Sequence, residues 1–160
     1  MSRKLTIGLL SLAAVVTLLF LLRPSDERRI KKLFKEGVNA VESKDLDGIM
    51  SKFSYNYRDD YGMTYIYLRE TLKRELEKLS DIRVEYENLH VTISKDGTPG
   101  DMGAGSTSRA MAEADVRVLA TMGQETGFVV GDPKVPVHLK FTLEKERMNW
   151  RVVKTEGFRQ

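Results

Sequence analysis

The spacing of apolar residues changes twice along the chain. Leu5 to Leu22 is an unbroken apolar run, from Ile30 to Leu79 apolar residues recur at helical spacing, and from Ile82 to the end they alternate. This order predicts an all-helical half followed by an all-strand half. Ile30, Leu33, Phe34, Val38 and Val41 define one face of a first helix, which Ser25 caps and which Asp26 and Glu27 favour at its positive end. Asp45 is placed to cap a short second helix carrying Leu46, Ile49, Met50 and Phe53. Tyr55 to Asp60 reads as a short strand with Tyr55, Tyr57 and Asp59 on one face, ended by Gly62. Tyr65, Leu68, Leu72, Leu76 and Leu79 mark the buried face of a third helix, with Glu70 and Arg74 as an exposed pair.

Four long strands are predicted after that. In Asp81 to Ser94 the apolar parity moves from Ile82, Val84 and Tyr86 to Leu89, Val91 and Ile93, which a β-bulge in mid-strand would produce. A glycine-rich connection, Lys95 to Ser108, leads to a strand whose Ala112, Ala114, Val116, Val118, Ala120 and Met122 share a face, and the small residues there leave space. Gly123 to Pro136 reads as a turn, Val137 to Leu143 as the third strand, and Trp150 to Phe158 as the fourth after a tight turn at Arg147-Met148-Asn149. Trp150 is expected to close the sheet over helix faces carrying Leu33, Leu72 and Leu76, with its indole nitrogen bound to one acceptor.

The run Leu5 to Leu22 has no charge in 18 residues. As a helix it is about 27 Å long, close to the thickness of a hydrocarbon core. It ends in Leu21-Leu22-Arg23-Pro24 without a small-x-small cleavage site, so an uncleaved anchor fits better than a removed signal. Residues 1–4 then form a short tail, 5–22 a transmembrane signal anchor and 23–160 one domain. Arg23, Arg28, Arg29, Lys31 and Lys32 beyond the run favour a cytoplasmic domain, while the short basic leader favours export. The expectation is a bacterial inner-membrane protein with its domain on the periplasmic side. The cations of the first helix read as a solvated face or as contacts to anionic headgroups.

Composition narrows the function classes. The net charge is +3 with 31% charged residues, too mild to call for nucleic acid. The absence of cysteine removes disulfides, thiolate metal sites and cysteine nucleophiles. His90 and His138 stand in separate strands with no carboxylate at ligand spacing, so no metal or cofactor is expected. The glycine-rich connection lacks the lysine-serine/threonine ending of a phosphate loop and leads into a strand.

Three helices, a short strand and a bent antiparallel sheet resemble the nuclear transport factor 2-like superfamily, also called SnoaL-like or cystatin-like. Asp45 to Phe53 looks like the family's second helix, Tyr57-Arg58-Asp59-Asp60 like its short strand, and Asn149-Trp150-Arg151-Val152-Val153 like its final strand. The resemblance covers Ser25 to Gln160 and implies an α+β cone, its helices closing a concave sheet around a pocket. The family includes enzymes and non-catalytic modules, so it does not transfer a function.

Within that cone, ketosteroid-isomerase-like and dehydratase members use a carboxylate. The resemblance makes Asp59 and Asp60 the catalytic candidates, with a phenol from Tyr55, Tyr57 or Tyr65 lining the pocket as oxyanion donor. The plainer reading of Asp59-Asp60-Tyr61-Gly62 is turn chemistry, and that of the tyrosines is half-buried core. Because no catalytic set converges, the expected function is a membrane-tethered, non-catalytic ligand-binding or assembly module. Its partners would be the membrane through residues 5–22, a second copy or another protein, and a small apolar ligand. The alternative is a small-molecule isomerase or dehydratase using a pocket carboxylate.

Overall fold

The computed structural model describes residues 25–94 and 108–157. The expected membrane anchor, 5–22, lies outside the described residues, as does most of the glycine-rich connection. Among the described residues no helix is long and apolar enough to cross a membrane.

Helix α1 spans Asp26–Glu42, α2 Leu46–Met50 and α3 Tyr65–Lys78. The Ser25 hydroxyl accepts from the Arg28 amide at 3.3 Å and the Asp45 carboxylate from the Gly48 amide at 2.9 Å, so both polar starts act as caps. The Glu70–Arg74 pair does not form, because Arg74 turns to its neighbour Glu75 at 3.3 Å.

Five strands follow: β1 Leu79–Ser94, β2 Arg109–Met122, β3 Glu125–Val130, β4 Val137–Glu146 and β5 Asn149–Glu156. They form one antiparallel sheet in the order β1-β2-β4-β5, with β3 paired to β2. The chain therefore adopts an α+β arrangement with one strand more than expected. β3 was hidden in the segment read as a turn, since five of its six residues are exposed and apolar alternation is lost without a buried face. It pairs with Val118 to Met122, while β4 takes Arg109 to Val116 on the same strand.

The bulge in β1 falls between Glu87 and His90, where the parity shift puts it, and Asn88 adopts a positive φ of 55° there. Another irregularity lies between Thr142 and Leu143 in the β4–β5 ladder. Bulges of this kind bend a sheet, and the inner face carries two buried clusters. One joins Ile30, Tyr57, Ala110, Ala112, Leu143, Trp150 and Val152. The other joins Ala40, Ile49, Leu76, Ile82 and Ala120, with Leu72 against it. Trp150 thus shares a cluster with Ile30 and Leu33, whereas Leu72 and Leu76 belong to the other one, contrary to expectation. From the third helix it is Tyr65 and Leu68, in its first turns, that pack against the Trp150 cluster.

The short strand also differs. The Tyr57 amide donates to the Ser54 carbonyl at 3.0 Å and the Asn56 amide to the Ser54 hydroxyl at 3.1 Å, folding 54–57 into a tight turn. Only isolated bridges remain, Phe53 with Val152 and Arg58 with Thr64. The turn rotates Tyr55 outward, 81% exposed, and Tyr57 inward, 4% exposed, so the two do not share a face.

Asp26 ties the first helix to the last strand. Its carboxylate accepts from Lys145 at 2.8 and 3.0 Å and from the Trp150 indole nitrogen at 3.1 Å. Partial burial would raise its pKa, but these hydrogen bonds and the charges of Lys145 and Arg29 outweigh burial and hold it below its ordinary value. A depressed carboxyl contributes stability that is complete above its unfolded pKa and is lost as pH falls through the lower folded one. Asp26→Asn should therefore flatten the loss of stability below about pH 4, where the wild-type chain weakens. Urea midpoints measured at falling pH check this, and parallel curves for the two proteins would count against it.

Candidate functional site

The helices and the inner sheet face form a half-open cavity of about 260 Å³. Its wall is apolar because β2 supplies Ala114 and Val116, β4 supplies Leu139 and Phe141, and α1 supplies Leu33, Phe34, Val38 and Val41. Alanine on β2 is what leaves the space. Phe34 and Phe141 meet edge to face at 4.9 Å, and Phe53 meets Tyr57 at 5.1 Å, so aromatic rings stiffen the lining.

Few polar atoms reach this space. Tyr57 and Thr155 are both buried and hydrogen-bond to each other. Burial pushes the Tyr57 phenol above its ordinary pKa; the Thr155 hydrogen bond opposes this, and the charges of Asp59 and Asp60 reinforce it. Tyr57 is therefore a neutral phenol near pH 7. Lys52 lends the wall its aliphatic stem while its ammonium reaches out to Glu36 at 2.6 Å. Neither histidine nor a carboxylate is found among the described residues lining the cavity.

The sequence-based candidates are dispersed. Of the three tyrosines only Tyr57 lines the cavity; Tyr65 packs against the first core cluster and Tyr55 lies over it outside, the two rings 4.7 Å apart. Asp59 Oδ1 accepts the amides of Tyr61 at 2.9 Å and Met63 at 2.7 Å, and Asp60 pairs with Lys154 at 2.8 Å. Turn chemistry occupies the first and a surface cation the second. Asp59 borders a second depression, lined also by Tyr61, Met63, Thr71 and Val129, which shares Tyr57, Leu68 and Leu72 with the cavity.

One pairing escaped sequence reasoning. His138 Nδ1 lies 2.8 Å from Asp115, whose other oxygen accepts from the Asn88 amide nitrogen at 2.8 Å. The Asn88 hydrogen bond first and the His138 contact second hold Asp115 below its ordinary pKa. The only signal was cross-strand register, since Asp115 stands directly opposite His138. His138 is exposed and outside the cavity lining, and among the described residues no group of three or more such side chains could hold a metal.

No family model matches the chain, and no curated protein matches it. Solved structures do. A Nostoc punctiforme protein of unknown function with a cystatin-like fold is 14% identical, covering 81% of this chain and 87% of its own, at a TM-score of 0.56. A Novosphingobium aromaticivorans protein provisionally assigned as a scytalone dehydratase is 11% identical, covering 84% and 89%, at 0.63. A Pseudomonas putida protein of unknown function described as nuclear transport factor 2-like is 15% identical, covering 81% and 82%, at 0.57. Likeness at these identities shows the fold alone. The domain thus has the nuclear transport factor 2-like, cystatin-like architecture that the sequence resembles.

Proposed function

We propose that the domain is a binding module without chemistry of its own, which holds a small apolar molecule in the cone and is tethered by residues 5–22 to a bacterial inner membrane, with the domain outside the cytoplasm. The observation that carries the reading is the cavity itself. Its volume of about 260 Å³ is just below the usual range for ligand sites, about 300–1,000 Å³. An apolar hole of about 150 Å³ already takes benzene, so a molecule of one or two rings, or a short acyl chain, fits here. The Tyr57 phenol and Thr155 hydroxyl offer one polar anchor point in an otherwise apolar wall. A pocket carboxylate, which isomerase or dehydratase chemistry requires, is missing from the described lining, and Asp59 and Asp60 are engaged elsewhere.

Titration with the two-ring apolar fluorophore 1-naphthylamine tests this. Saturable binding with a single class of site, competed by small aromatic hydrocarbons, is the expected result. Signal that rises linearly without saturating, or that hydrocarbons fail to displace, would remove the proposal.

A further inference from the structure

A separate depression is built where the start of α1, the turn after α2 and the β4–β5 hairpin meet. Five cations line it, Arg28, Arg29, Lys32, Lys52 and Arg151, against the single carboxylate of Glu36. Glu36 is committed to Lys52 at 2.6 Å and lies 3.7 Å from Lys32. Arg151 is held by Glu146 at 3.2 Å and by the Ser51 carbonyl. The nearby acids on α1 are spent too, Asp26 on Lys145 and Trp150 and Glu27 on Lys31 at 2.6 Å. Arg28 and Arg29 have no carboxylate at ion-pair distance among the described residues, so positive charge is left over at this opening.

Two further observations say what meets it. Arg29 donates to the carbonyl of Met148 at 3.2 Å, and the Met148 side chain stands bare at the hairpin tip, 64% exposed. An apolar tip ringed by cations is the surface chemistry of a protein that rests in a lipid interface. In addition, Arg28 follows the apolar run by only six residues, a reach of at most about 20 Å even if fully extended.

We infer that this face lies on the membrane, with the depression taking the phosphate of an anionic phospholipid headgroup and Met148 entering the interfacial layer. The inference rests on the tethering of residues 5–22 proposed above. Guanidinium groups suit a phosphate because they offer paired donors in a planar fork. Each cation near an anionic leaflet raises the docked population about fivefold. Docking would fix the orientation of the cone relative to the bilayer, which a tether alone would not.

The test uses the full chain in lipid nanodiscs of phosphatidylcholine, with and without phosphatidylglycerol, and reads amide hydrogen exchange over 26–34 and 147–151. Exchange should slow only in the anionic discs. Arg28→Gln with Lys32→Gln should cut the docked population about twenty-five-fold and return exchange to the phosphatidylcholine rate. Both side chains are exposed and outside the core, so the thermal melt should stay unchanged; Met148→Ser is an independent second variant expected to weaken the same protection. A chain that stays in both discs but exchanges equally in them overturns the docking while leaving the tether standing. A chain that enters neither disc overturns both. Slowing of equal size when inorganic phosphate is added to phosphatidylcholine discs would show a free-phosphate site and overturn the lipid assignment.

Discussion

Trp150→Ala should lower the unfolding free energy by about 3–5 kcal/mol, the range for removing a large buried aromatic ring. For a domain of ordinary stability, about 5–15 kcal/mol, that is about a fifth of the total or more. The ring is 4% exposed and joins α1 to the last strand through Ile30, Leu143 and Val152. It also carries the hydrogen bond to Asp26 and lies 5.8 Å beneath the Lys145 ammonium. Trp150→Phe separates these contributions, because it keeps an aromatic ring and deletes the donor. Its cost should be about 1 kcal/mol, since Lys145 continues to satisfy the partly exposed Asp26. Circular dichroism in urea is the suitable readout, because the substitution removes the only tryptophan. Unchanged midpoints for Trp150→Ala would show that the strand closes without the ring, and that its place in the core is incidental.

How far the sequence reveals this architecture depends on whether a residue's environment is set by its near neighbours. The β1 bulge was legible because both halves of the strand bury every second residue, so one slip leaves a visible change of parity. Space on the β2 face was legible for the same reason: Ala110, Ala112, Ala114 and Ala120 are nearly inaccessible, and small buried residues in a row announce a gap. β3 has no inner face and so left no pattern; its ladder to β2 is made of backbone groups that any sequence carries. The Tyr55–Tyr57 alternation misled because a buried serine at 54 makes a turn from its own hydroxyl and carbonyl, and local hydrogen bonding overrides so short an alternation. The His138–Asp115 contact, and the gathering of Arg28 and Arg151 around one depression, bring together segments far apart in sequence. They exist only once strand register and helix docking are fixed, and spacing along the chain contains neither.

Ala114→Leu should abolish binding of an apolar probe while leaving the domain as stable as before or more so. Ala114 is 2% exposed, sits mid-strand in β2 opposite Leu139 of β4 and forms part of the cavity wall. Replacing its methyl with an isobutyl group puts hydrocarbon into the space a ligand would occupy, so the affinity should fall by at least about a hundredfold, or 2.7 kcal/mol. Filling a real void regains lost contacts, and such changes commonly stabilise by about 0.5–2 kcal/mol. If the surrounding side chains instead close over the space in solution, the same substitution overpacks a full core and costs about 1–3 kcal/mol. The two measurements together are decisive. Loss of binding with retained stability places the ligand against β2; loss of stability with retained binding would mean that the probe had bound elsewhere and that the cone is closed around its own side chains.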